Sequence, residues 1–133
     1  MPHLDTSQGD GKLKFLIIGA GQRGVSYANP ISQMSNAAIH AVAEPIDFRR
    51  RHFGETYIWG RGNDPAEGQE FRNWKQWLAW ETERRELEKS GAKVPIGVDG
   101  VFVCTLDEMH VEIMLAIAPL KLHVLCEKPL ATS

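Results

Sequence analysis

Four short stretches of the chain are dominated by apolar residues: Lys12–Ile18, Ala38–Ala43, Val101–Thr105 and His123–Cys126. Each predicts a strand, and the continuously apolar second half of Lys12–Ile18 is what a parallel strand covered on both faces requires. Between them the apolar positions recur at helical spacing. A helix is predicted from Gln22 toward Met34, with Pro30 interrupting the pattern near its end. Ile46–Phe53 predicts a short basic helix with Asp47 in its first turn, and Thr56–Trp59 a brief third strand. Gly60–Gly68, rich in Gly, Asn, Asp and Pro, predicts a loop. Phe71–Ser90 predicts one long helix, with Phe71, Trp74, Trp77 and Leu78 as its apolar stripe and Ser90-Gly91 as its stop. Its second half is charged, and Glu81–Arg85 and Arg84–Glu88 are spaced to pair along one helix face. Val111–Ala118 predicts a last helix, ended by Pro119. Strands alternating with helices define an α/β fold with a parallel sheet and right-handed crossovers.

The first strand ends in Gly19-Ala-Gly21-Gln-Arg-Gly24, a G-x-G-x-x-G turn, and Glu44 follows twenty residues later at the end of the second strand. In a strand–turn–helix unit these glycines have separate jobs. Gly19 permits the tight turn, Gly21 lets phosphate oxygens approach the backbone, and Gly24 lets the helix pack on the strand. The amides of Gln22 and Arg23 then sit at a helix N-terminus, where orphan N–H groups and the helix dipole favour an anion. The pattern predicts a Rossmann-type doubly wound sheet holding the pyrophosphate of a dinucleotide. Glu44 is placed to accept hydrogen bonds from the adenosine ribose diol. That favours NAD over NADP, because a 2′-phosphate would face a carboxylate. Arg49, Arg50 and Arg51 follow closely. One of them can reach a 2′-phosphate or stack on adenine, and together they equally read as a solvated helix face.

The net charge of −2 over 133 residues gives no global basic field for nucleic acid or anionic lipid. The apolar runs are too short to span a bilayer. Residues 1–11 are polar, without the apolar core of a secretory signal, and read as a leader preceding a single domain over 12–133. Cys104 and Cys126 lie in strand-like runs with no zinc or C-x-x-C spacing, which predicts buried reduced thiols and a cytoplasmic location. No metal site is predicted. His40, His52 and His123 read as partly buried structural histidines.

Two polar clusters fall at strand ends, on the edge where open α/β sheets bind ligands: Thr105–His110 and Glu127-Lys128-Pro129. With the glycine turn they carry a resemblance. Ile18–Gly24, Asp99–Thr105 with His110 five residues on, and Val124–Ala131 are similar to the N-terminal cofactor domain of the glucose–fructose oxidoreductase / inositol dehydrogenase (Gfo/Idh/MocA) family. The resemblance implies an NAD(P)-dependent oxidoreductase acting on a hydroxyl-bearing carbon of a sugar, cyclitol or related polyol. It implies that Lys128 touches the nicotinamide ribose and the substrate hydroxyl, as the one catalytic candidate. Glu127 and Pro129 would shape the turn beneath it, and Thr105, Leu106 and His110 would lie on the nicotinamide side.

Three departures stand out. Leu106 replaces a common proline, Asp107 an asparagine, and the stretch Trp59–Gly100, with a helical extension over about 60–98, is long. Its tryptophans, Trp59, Trp74, Trp77 and Trp80, predict packing of the long helix on the sheet, or else a partner or lid surface. The sequence stops just past Glu127-Lys128-Pro129, so the sheet is expected to be truncated there, leaving its last strand with an open edge and an uncovered face that favour self-association. In the resembling family a second domain supplies most of the substrate pocket. The expectation is therefore a cofactor-binding half without a complete active site. The alternative is a non-catalytic NAD(P)-sensing module that binds a protein partner through the Trp-rich helix.

Overall fold

A computed structural model describes residues 11–105 and 107–126, and only the backbone of Asp107, Glu108 and Cys126. Five parallel strands form one sheet in the order β3-β2-β1-β4-β5. They are β1 (Leu13–Ile18), β2 (Ala37–Ala43), β3 (Glu70–Phe71), β4 (Gly100–Val103) and β5 (His123–Cys126). The helices are α1 (Gln22–Ser32), α2 (Asp47–Tyr57), α3 (Trp74–Lys89) and α4 (Asp107–Ile117). A 3-10 turn, Ala118–Leu120, holds Pro119.

The central strands of the sheet are covered on both faces, as their continuous apolar runs require. Ile17, Ile39 and Phe102 point to one face and meet Ala28 and Ile31 of α1 and Phe53 of α2. Leu16, Ile18, Val101 and Val103 point to the other, under Trp74 and Trp77 of α3 and Ile113 and Ile117 of α4. β1 sits at the centre with β2 and β4 on either side. The strand order therefore reverses at β1, and the crevice beyond the carboxyl ends of β1, β2 and β4 is the topological switch point.

Several elements differ from the expectation. Thr56 and Tyr57 form the last turn of α2, not a strand. Tyr57 tilts against Phe53 at 4.9 Å and packs, partly buried, on the α2 face of the sheet, contacts a separate strand there would lose. The third strand is Glu70–Phe71, two residues long, and pairs with Val42 and Ala43. Phe71 thus belongs to the sheet, and α3 starts three residues later because Asn73 caps it, its Oδ1 accepting from the Gln76 amide at 2.8 Å. Pro30 fits the last turn of α1, which ends at Ser32.

Trp74, Trp77 and Trp80 do the packing of the long helix expected of the tryptophans. Trp77 is fully buried, Trp74 nearly so, and Trp80 tilts against Phe71 at 5.5 Å. Trp59 goes to the other face, lying over Gly54, which has no side chain to obstruct it. The charged half of α3 is less superficial than its sequence suggests. Glu81 is completely buried and receives Arg84 on both carboxylate oxygens at 2.9 Å and Arg85 at 2.7 Å. β5 is an outer strand, and Leu125 on it is 51% exposed.

Candidate functional site: a cleft at the carboxyl edge of the sheet

β1 runs into Gly19, whose φ of +97° turns the chain sharply toward α1. A side chain at Gly19 would also strike the Cys104 carbonyl oxygen at 2.8 Å. Gly24 packs α1 onto β1 so closely that an added Cβ would overlap the Gly19 carbonyl oxygen. Both glycines are thus demanded by the fold itself. Gly21, the N-cap of α1, is different. Its φ of −80° suits any residue, and a Cβ there would meet only Arg49 Nη1, at 3.5 Å. Among the described residues nothing requires glycine at this position.

The turn opens into a cleft of about 780 Å³. One wall is Gly19, Gly21, Gln22 and Arg23; another is Glu44 and Arg49 from the β2–α2 connection. The N-terminus of α3 closes the opposite side with Asn73, Trp74 and Lys75, and Cys104 and Thr105 line it beyond β4. Glu44 is almost buried. One carboxylate oxygen accepts from the Ala20 amide at 2.7 Å and the other from the Ile46 amide at 2.9 Å. Those bonds fix the glycine turn to the start of α2 while leaving each oxygen further acceptor capacity.

Among the three arginines, Arg49 faces the cleft and Arg51 is solvated beside Glu55. Arg50, against the solvated-face reading, is buried. It donates to Glu70 at 2.7 Å, to Asp47 at 2.6 Å and to the Glu44 carbonyl at 2.8 Å, tying α2 to β2 and β3. Burial pulls its pKa down, but the bonds to Glu70 and Asp47 outweigh that and raise it. It is therefore a cation that the fold consumes.

On the β4 side, Thr105 lines the cleft and its buried hydroxyl has no hydrogen-bond partner among the described residues. His110 is buried behind it, Nε2 donating to the Thr105 carbonyl at 2.9 Å, while Nδ1 has no partner among the described residues. His110 braces the Thr105 loop rather than lining the cleft. Leu106, Glu127, Lys128 and Pro129 lie outside the described residues. Cys104, expected in the core, is half-buried on the cleft wall, and the Cys126 side chain is not described. His52 and His123 are exposed rather than partly buried. His40 is half-buried, and its pKa is lowered chiefly by burial, with Lys14 adding to the effect. The wall formed by Asn73, Trp74 and Lys75 was not anticipated, because the long helix was expected to begin at Phe71. The spacing Asn73-x-x-Gln76 is a capping signal that marks the true start.

Among the described residues no group of three or more His, Cys, Asp or Glu side chains is arranged for a metal ion. No described helix is long and apolar enough to cross a membrane. What the cleft does offer suits a dinucleotide: a helix N-terminus behind a side-chain-free turn, a carboxylate at the end of β2, and an unpartnered hydroxyl beyond β4.

Fold and cleft together define a dinucleotide-binding domain of the Rossmann type. Residues 13–133 match the Gfo/Idh/MocA oxidoreductase family, described as having an NAD-binding Rossmann fold, and the chain belongs to that family. A myo-inositol 2-dehydrogenase from Thermotoga maritima is 28% identical over 116 residues, which are 86% of this chain and 28% of that protein. Among solved structures, an oxidoreductase from Agrobacterium radiobacter in complex with NAD+, L-tartaric acid and magnesium shares the fold at a TM-score of 0.67. It is 21% identical and covers 92% of this chain and 29% of its own. An aldose-aldose oxidoreductase from Caulobacter crescentus complexed with glycerol does so at 0.58, with 23% identity, covering 90% of this chain and 30% of its own. The chain spans less than a third of the length of these relatives.

Proposed function

We propose that this chain is the cofactor-binding part of an NAD(P)-dependent oxidoreductase acting on a CH–OH group of a sugar, cyclitol or related polyol. The observation that carries the reading is Gly21, a glycine that neither its backbone angle nor any packing contact among the described residues explains. Space kept open above a helix N-terminus is what a pyrophosphate needs. The dinucleotide lies across the carboxyl edge, its pyrophosphate on the Gln22 and Arg23 amides. Its adenosine ribose is against Glu44 and Arg49, and its nicotinamide end lies toward Thr105 and Leu106. His110 supports that end by holding the Thr105 carbonyl.

Glu44 favours NAD over NADP, since its carboxylate accepts from a ribose diol and repels a 2′-phosphate. The bound cofactor supplies hydride chemistry. Lys128, flanked by Glu127 and Pro129, is the residue of this chain assigned to the substrate hydroxyl. Transfer also needs a positioned substrate and a proton acceptor. Those contacts are assigned to a second domain like the one the longer relatives have room for. The 133-residue chain is therefore expected to bind cofactor in a reducing, cytoplasmic setting and to turn over little polyol.

Titration of NADH and NADPH, followed by quenching of Trp fluorescence, tests the reading, because Trp74 lines the cleft. A saturable change with NADH tighter than NADPH is expected. No saturable change with either refutes it.

A further inference from the structure

Two helices point their N-termini into the cleft, and both break the usual charge rule there. Negative side chains are favoured in a helix's first turn and positive ones disfavoured. Neither α1 nor α3 has an acidic residue in its first turn. Each instead carries a cation two residues past its N-cap: Arg23 after Gly21, and Lys75 after Asn73. Both cations line the same cleft, and Arg49 is a third. Among the described residues that line these walls the one carboxylate, Glu44, already accepts two backbone N–H groups. A chain of net charge −2 has thus concentrated positive charge in one crevice. A local rule broken twice, on facing walls, indicates a shared anionic ligand.

Resting on the dinucleotide reading above, we infer that Lys75 is a second pyrophosphate ligand, reaching from α3 the phosphate oxygens that the α1 N-terminus leaves uncovered. Lys75 is held weakly by the rest of the protein. Its ammonium lies 3.7 Å from Glu112 of α4, with both side chains mostly exposed, and 5.7 Å from the Trp74 ring. An exposed pair of this kind is readily exchanged for a charge-assisted bond to phosphate. Binding therefore exchanges Glu112 for phosphate, and Glu112 acts as a competitor for Lys75.

The side chain of Lys75 is 70% exposed, so its truncation leaves the fold intact. Isothermal titration of the 133-residue chain with NADH should show Lys75→Met weakening binding about tenfold, while Lys75→Arg stays close to the unaltered chain. Glu112→Gln should tighten binding about twofold, and that gain should vanish when Lys75 is already Met. Affinity of K75M within about twofold of the unaltered chain would overturn the inference, as would a Glu112→Gln gain that persists beside K75M. No NADH binding by the unaltered chain would overturn the proposed function and this inference together. Normal binding with an insensitive Lys75 overturns this inference alone.

Discussion

Gly21 and Gly24 stand three residues apart in one turn, yet replacing them with alanine should have opposite consequences. At Gly24 the new Cβ would overlap the Gly19 carbonyl oxygen and press on Ile17 Cγ2 at 3.1 Å. Both belong to the β1 end of the sheet, where neither backbone nor a fully buried isoleucine can retreat. Overpacking of this severity costs about 3 kcal/mol, which for a domain of this size lowers Tm by on the order of 10 °C. At Gly21 the Cβ meets one arginine nitrogen at 3.5 Å, an ordinary contact, and φ is already negative. Alanine there stiffens the unfolded chain, a gain of about 0.4–1 kcal/mol, and is a poorer N-cap than glycine by a comparable amount. The two nearly cancel, so Tm should move by no more than about 3 °C. The methyl group nevertheless occupies the space above the α1 N-terminus, and NADH affinity should fall by about a hundredfold or more. Differential scanning calorimetry gives the first quantity and calorimetric titration with NADH the second. A Gly21→Ala chain that unfolds early, or that binds NADH as tightly as the unaltered one, would refute the claim that this glycine is kept for a ligand.

Other perturbations follow from the same contacts. Glu81→Ala should cost about 3 kcal/mol by urea unfolding, because it strands Arg84 and Arg85, whereas a cost below about 1 kcal/mol would show the triad to be dispensable. Glu44→Gln keeps the shape of the side chain but not its charge, so the preference for NADH over NADPH should fall by about tenfold; an unchanged ratio refutes the role given to Glu44. His40 titrates below its ordinary value of 6.5 in the folded chain, so the unfolded chain takes up protons first as pH falls. Stability should therefore be full above pH 6.5 and decline as pH drops toward the folded pKa. His40→Asn should flatten the urea midpoint between pH 7.5 and 5.5, and an unaltered slope would assign the decline to other groups.

β1, β2 and β4 were legible because their apolar runs suit burial between two helical layers, and β5 because it too is an apolar run, although Leu125 on it is exposed. The G-x-G-x-x-G turn and Glu44 were legible because their spacing follows from one strand–turn–helix geometry. The third strand was not, since Glu70–Phe71 offers two residues and no run, and Phe71 fits a helical stripe equally well. The same ambiguity hid the cleft wall at Asn73, Trp74 and Lys75, which only the capping spacing betrays. Burial of Glu81 and Arg50 was invisible for another reason. Helical spacing shows which residues share a face, and an i,i+4 ion pair reads alike in water and beneath a loop. Arg84 lies against Gly97 and donates to the Pro95 carbonyl at 3.4 Å, so the segment that buries this network comes from well outside the helix. His110 shows the converse. Its place just past a strand end was clear, but its bond to the Thr105 carbonyl turns it away from the cleft.

The most direct test of the cofactor claim is calorimetric titration of the 133-residue chain with NADH. The account predicts a single saturable site that is lost in Gly21→Ala while the fold survives. An absence of heat attributable to binding, at concentrations where the chain is folded and monodisperse, would contradict it.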